Sequence, residues 1–340
     1  MKFTGSAQIA PGWSAGYVLQ IEAINADSLT MNQVTSQNPT ALGANGSFGT
    51  QLLQSYWFVK SDQLGKLSLG RQSQASDNTA ILVDGSGSLV PANWVLFDTA
   101  NFNVRNNFFA NVQWSDFGGC GNMGGAAGDC NGATRNVLRY DSPTFGGFSV
   151  SASWGEDDMW DVAARYAGEF SGFKLAAAAA YTEISDEAFN GSGIAGDSSQ
   201  YFQAGAFLMH VPTGLFAYGA YGQLESDLRV GDSVTWYGKA GLRTRLSSLG
   251  HTVFYGEYMN SQGDDDFSAA FYSGAVGLGA GVDTEMDLWG VGIVQEIDAA
   301  AMSVWVKYRN LSAEASGAIV PANTGLQDFD YVGVGGLINF

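Results

Sequence analysis

The stretch RNVLRYDSPTFGGFSVSASW, residues 135–154, limits what this chain can fold into more than any other. Its residues alternate in character. Leu138 and Tyr140 fall on one side, Arg139 and Asp141 on the other. After the PTFGG break, Phe148, Val150, Ala152 and Trp154 oppose Ser149, Ser151 and Ser153. Alternation of period 2 on both sides of a Pro/Gly turn predicts a β-hairpin with one apolar and one polar face. A soluble sandwich would bury the apolar face. A transmembrane barrel turns it to lipid and lets charges such as Arg139 line water.

Composition favours the barrel. Of 340 residues, 46 are Gly and only 6 Pro, and aromatics reach 13% while charged residues stop at 14%. A soluble protein usually carries about a quarter charged residues; a surface that meets lipid does not need them. No run of apolar residues is long enough for a membrane-spanning helix. The net charge of −18 argues against nucleic acid, whose phosphates would repel the chain.

Fifteen strands are predicted, at 2–10, 13–24, 49–61, 66–72, 136–142, 148–154, 159–169, 172–184, 200–211, 215–224, 233–246, 252–260, 284–296, 301–314 and 328–340. Short turns such as Pro11-Gly12 and Pro212-Thr213-Gly214 alternate with longer polar loops, the rhythm of an antiparallel outer-membrane barrel. One connection, residues 73–134, is far longer than the rest, and such length in a compact domain marks function. The whole chain, 1–340, reads as one all-β domain. On 159–169, Trp160, Val162, Ala164 and Tyr166 face outward and Asp161 and Arg165 inward. Lys174, Lys239, Arg243, Arg245, Lys307 and Arg309 likewise fall opposite the aliphatic face. A Lys or Arg at mid-bilayer costs roughly 2–4 kcal/mol, so the charged face must line water.

Much of the acid lies in predicted loops. The run Asp264-Asp265-Asp266 is placed to collect Ca2+ weakly between loops and lipopolysaccharide; a solvated acidic loop is the plainer reading. Cys120 and Cys130 flank a Gly-rich segment without a nearby His. Two thiols are a poor metal set, and an oxidising compartment would pair them as a disulfide pinning the loop. No other metal or cofactor is expected.

These residues resemble the porins of alphaproteobacterial outer membranes. The carriers are RNVLRYDSPTFGGFSVSASWGEDDMWDVAARYAGEFSGFKLA (135–176), FTGSAQIAPGWSAGYVLQIE (3–22), SYWFVKSDQLGKLSLGRQSQASD (55–77) and the final Phe340. The resemblance implies a 16-stranded barrel in the bacterial outer membrane, embedded in its lipid and lipopolysaccharide. It also implies a homotrimer, through which small hydrophilic solutes and ions diffuse passively. The third external loop would fold inward to constrict the pore, and residues 73–134 match it by position. Phe340 looks like the signal read by the barrel-assembly machinery.

For such a channel the chemistry is a filter of opposed charges across a narrow eyelet. The basic candidates are Arg135, Arg139, Arg165, Lys174 and Arg243. The acidic candidates, on the long loop, are Asp77, Asp84, Asp98 and Asp116. A substrate-selective channel is the alternative, for which Tyr201, Tyr221 and Tyr255 could form an aromatic ladder. A non-channel adhesin and an outer-membrane enzyme rank lower: His210 and His251 lie at the short-turn rim and join no catalytic motif, so catalysis is not expected. Fifteen is an odd count, whereas single-chain bacterial barrels have even ones. The first and last strands should therefore run in parallel, or stay unpaired, with Met1 at the long-loop end. A strand is expected to be missing before Lys2. A hairpin hidden around residues 102–114 would add two strands and leave the parity unchanged.

Overall fold

The computed structural model describes residues 1–23, 33, 50–95, 98–99, 102–107, 112–114, 117, 134–156, 158–185, 198–226, 232–263, 282–317, 320–321 and 323–339. Fifteen strands form one sheet. They are β1 (Lys2–Ala10), β2 (Trp13–Ala23), β3 (Thr50–Ser61), β4 (Gly65–Ser73), β5 (Thr134–Asp141), β6 (Phe148–Gly155), β7 (Trp160–Phe170) and β8 (Phe173–Ile184). There follow β9 (Ser199–His210), β10 (Leu215–Ser226), β11 (Ser233–Thr244), β12 (Thr252–Gly263), β13 (Val282–Ile297), β14 (Met302–Gly317) and β15 (Phe329–Ile338). Each pairs antiparallel with its sequence neighbour, from β1 to β15 in order.

The turns follow from local chemistry. β7 and β8 close at Phe170↔Phe173 around Ser171 and Gly172, at φ 48° and 81°. Two consecutive positive φ angles give the tight turn whose twist matches the flanking strands, and Gly carries the second without steric cost. Met1 sits at the long-loop end, its carbonyl accepting from the Ile21 amide at 2.8 Å near the top of β2. Because β1 and β15 both run from the long-loop end to the short-turn end, their edges are parallel in sense, and the sheet order leaves them unpaired. Antiparallel closure between them takes one strand running the other way. The short pairing of Asn103 with Gln113 lies outside the sheet, so the described residues among 102–114 add no strand to it.

The outer face is apolar and ringed by aromatics. Toward the long-loop end, Trp160–Tyr181, Phe202–Tyr221, Trp236–Tyr258 and Trp289–Tyr308 stand in cross-strand contact, with ring centroids 5.1–6.3 Å apart. Phe148–Tyr166 and Phe173–His210 mark the short-turn end. Between the two belts Val150, Val162, Leu208 and Val291 are exposed, as lipid-facing positions should be. Tyr221 belongs to this outer girdle. Tyr201 and Tyr255 are buried on the inner face, so the three do not form one ladder.

The core is inside the barrel. On β9–β13 the inward face carries Phe207, Phe216, Tyr218, Tyr237, Tyr255, Met259, Met286 and Leu288, all buried. Ala80, Ala92 and Val95, from the segment that follows β4, are buried in the same cluster.

Candidate functional site: the lumen and the loop that lines it

The segment after β4 is fastened to inward-facing side chains, strand after strand. At its root, Arg139 on β5 donates through Nε and Nη2 to Asp141 Oδ1 (2.9 and 2.7 Å). Its Nη1 donates to the Ser73 and Gln74 carbonyls at 2.9 and 3.0 Å. Lys66 lies 3.1 Å from the same carboxylate. Arg165 on β7 donates to Ser151 Oγ (2.7 Å), the Ala75 carbonyl (2.6 Å) and Thr79 Oγ1 (2.9 Å). Asp161 accepts the Ser76 amide at 2.6 Å and the Ser153 amide at 3.1 Å.

Further along, Gln203 on β9 brackets the loop: its Oε1 accepts the Ala80 amide at 2.8 Å and its Nε2 donates to the Ser76 carbonyl at 3.0 Å. Neighbouring Gly205 lets the backbones meet, since a Cβ there would overlap the Ala80 carbonyl. Tyr218 on β10 donates its hydroxyl to that carbonyl at 2.8 Å.

The densest anchor is on β11. Lys239 Nζ donates to Asp84 Oδ2 (2.5 Å), Ser88 Oγ (2.9 Å) and Asn93 Oδ1 (2.7 Å), and the Lys239 and Asp84 side chains are both fully buried. The rings of Tyr218 and Tyr255 lie 5.5 and 5.7 Å from the ammonium. An ammonium stripped of water needs such a full complement of acceptors. On β14, Arg309 donates to Glu257 Oε1 (2.7 Å) and Oε2 (3.0 Å), to the Pro91 carbonyl (3.1 Å) and to the Ala92 carbonyl. Lys307 donates to the Pro91 carbonyl at 2.9 Å and forms an ion pair with Asp98. Beyond Asp98, Phe102 and Trp114 stack on Phe329 of β15 at 5.2 and 6.1 Å. The Asn107 amide donates to the Thr324 carbonyl at 2.8 Å. The described residues between 74 and 117 thus run along the inner wall from the β5 side to β15.

The residues named from sequence divide into groups. Arg139 and Arg165 meet at the loop root. Asp77 lies beside them, accepting from Asn78 Nδ2 at 2.7 Å, and burial pushes its carboxyl up to about 6 against the pull of the Ser73 hydroxyl and Arg139. Asp84 and Asp98 do face wall cations, but these are Lys239 and Lys307, which were not among the filter candidates. Arg243 sits nearer the short-turn end, bound to Glu296 at 3.0 and 2.7 Å. Lys174 shares the inward face of β8, half-exposed beside the turn and 3.9 Å from Glu169. Arg135 lies inward at the long-loop end of β5, opposite Gln72. Asp116, the Asp264–Asp266 run, Cys120, Cys130 and Phe340 fall outside the described residues.

The residues missed were Lys239, Glu257, Lys307 and Arg309. A signal for them was available: on β9–β12 the inward positions include Phe207, Phe216, Tyr218, Tyr237, Tyr255 and Met259, which tells that something covers that part of the wall.

A sheet with a lipid-type outer belt and a charged, loop-lined interior matches what is known of one family. The Gram-negative porin family model matches residues 1–296. The chain belongs to the Gram-negative porin family. It is therefore an outer-membrane channel for passive diffusion.

Solved porins share the fold. An anion-selective porin from Comamonas acidovorans is 15% identical, with 98% of this chain and 87% of that one covered at a TM-score of 0.58. A loop-deletion form of OmpT from Vibrio cholerae is 11% identical, covering 98% and 88% at 0.52. OmpF of Salmonella typhi, in complex with daunomycin, is 15% identical, covering 98% and 88% at 0.51. No curated protein matches the sequence.

Proposed function

We propose that the described residues between 74 and 117 form the narrow part of this porin's channel and that solutes pass between this segment and the remaining wall. The observation that carries the reading is the chain of hydrogen bonds from Arg139, Arg165, Gln203, Tyr218, Lys239, Lys307 and Arg309 to this one segment. A loop tied to so many inward-facing side chains occupies lumen cross-section and has little freedom to leave it. Arg139, Arg165 and Asp77 would set the charge where the loop leaves the wall. Lys239, Lys307 and Arg309 would act chiefly as anchors.

The channel would work as a homotrimer, as the resemblance of residues 135–176 to alphaproteobacterial porins implies. The related Vibrio cholerae OmpT has been solved as a trimer. The protein would act without enzymatic chemistry. His210 pairs with Thr213 Oγ1 at 2.8 Å and His251 lies 3.5 Å from Glu296, both at the short-turn rim. The test is conductance in planar bilayers. Wild-type protein should give discrete water-filled conductance steps, and a chain lacking residues 79–95 should give larger ones. Equal step sizes from a folded deletion variant would refute the assignment of the narrow part.

A further inference from the structure

Asp84 and Asp98 of the loop are drawn back onto wall cations, the wrong way for an opposed-charge filter. Residues 79–95 (TAILVDGSGSLVPANWV) contain a single ionisable side chain, Asp84, and it is fully buried against Lys239 on the wall. The side of this stretch turned from the wall carries no charge. Leu82 is 63% exposed there, whereas Gly85 and Gly87 pack close to the wall, against Phe207 and against Arg243 and Glu296. A lone exposed Leu on an open surface means little. On a stretch that lines a lumen, with that stretch's one carboxylate cancelled by contact behind it, it sets what a passing solute meets.

A transverse field between opposed charges holds water oriented, and an aliphatic group that displaces such water gives nothing back. A charge pair in contact at 2.5 Å acts outward as a short dipole, whose field falls off faster than that of a lone carboxylate. Apolar groups then cross at a smaller penalty.

We infer that this channel favours small uncharged or zwitterionic solutes bearing an aliphatic group, and that Leu82 is the residue that sets this preference. The inference rests on the reading of residues 74–117 as the narrow part.

The experiment is flux into liposomes reconstituted with the purified porin, using leucine and glutamine. These solutes are of similar size, both zwitterionic, and differ in side-chain polarity. Leu82→Asp should lower the leucine-to-glutamine flux ratio at least threefold and move the reversal potential towards cations. Leu82→Gln should lower the ratio less. Heat-modifiable electrophoretic mobility selects the folded variants, and Leu82→Gln carries the test alone if the Asp variant does not fold. Ratios within experimental error of wild type in the folded variants would overturn the inference. A Leu82→Trp variant keeps the two failures apart. Reduced conductance in Leu82→Trp with flux ratios unchanged in Leu82→Asp and Leu82→Gln leaves the narrow part in place and sinks only the preference. Unchanged conductance removes the loop from the narrow part, and the preference falls with it.

Discussion

Replacing Asp84 with Ala removes the counter-charge of an ammonium that has no water. The Asp84 and Lys239 side chains are both fully buried, so solvent screening does not soften the loss. Breaking such a pair from one side costs about 3–5 kcal/mol, because the remaining charge stays buried and uncompensated. Ser88 and Asn93 still accept from Lys239 Nζ, which places the cost near the lower end of that range. The loop keeps its other holds: Gln203 and Tyr218 on Ala80, and Arg309 on the Pro91 and Ala92 carbonyls. The barrel should therefore remain folded while the loop opens locally more often. At about 1.4 kcal/mol per tenfold, the open population should rise by roughly two to three decades. Ser86 is fully buried beside the pair, so a Ser86→Cys background reports that opening as a thiol-labelling rate, corrected for labelling of the parent chain. If labelling is limited by the equilibrium population of the open form, the Asp84→Ala variant should label about a hundredfold or more faster. Replacing both partners, Asp84→Leu with Lys239→Met, should recover most of the protection. A labelling rate within threefold of the parent for Asp84→Ala would refute the account of this pair as the loop's principal bolt.

Other outcomes follow from the same geometry. The raised Asp77 carboxyl holds its proton more tightly folded than unfolded, so its contribution to stability is complete below about pH 4 and is lost as pH rises through about 6. On acidification from pH 7 to 5 the carboxylate beside Arg139 is neutralised, and the reversal potential should move towards anions; an Asp77→Asn variant should not respond. Arg139→Ala with Arg165→Ala frees the Ser73, Gln74 and Ala75 carbonyls, and should raise single-channel conductance and favour cations; no change in either would take both residues out of the filter. Val150→Arg, on the lipid-exposed outer face, should cost roughly 2–4 kcal/mol in denaturant unfolding from lipid, whereas Ser149→Arg on the opposite face should cost far less. If Cys120 and Cys130 are joined, alkylation without reductant should add no mass to the chain, and reduction should loosen the segment by about 3 kcal/mol at most.

The strands were legible because two solvents enforce them. Lipid outside and water inside hold each strand to one register, since a slip by one residue would carry Arg165 or Lys239 into hydrocarbon. That is why the inward assignment of Asp161, Arg165, Lys174, Lys239, Arg243, Lys307 and Arg309 agrees with the structure, and why fifteen strands were counted. The ends were less legible. β15 spans Phe329–Ile338 rather than 328–340, and β4 begins at Gly65 rather than Lys66. A strand's last residues pair or not according to their neighbour's length, which one strand's own sequence does not contain.

The site was legible by face but not by height. Alternation says that Lys239 and Arg243 both point inward. It cannot say which of two residues four apart, roughly 13 Å along the strand, the loop will bury and bond. That depends on the path of residues 74–95, and the path depends on what the wall offers it. On β9–β12 the wall offers Phe207, Phe216, Tyr218, Tyr237, Tyr255 and Met259, side chains that water would not favour and that Ala80, Ala92 and Val95 cover. Apolar burial draws the loop to this height, and the buried charges follow. Once the loop lies here, the ammonium of Lys239 has lost its water and must find acceptors, and Asp84, Ser88 and Asn93 stand where it needs them. Arg243, half-buried beside Gly87 of the loop, keeps its own partner in Glu296. An inward base therefore anchors the loop where its neighbouring inward positions are apolar. Where they are polar or small, as Ser149, Ser151 and Ser153 are beside Arg139 and Arg165, the base still ties down the loop root but is only part-buried and keeps contact with the water path.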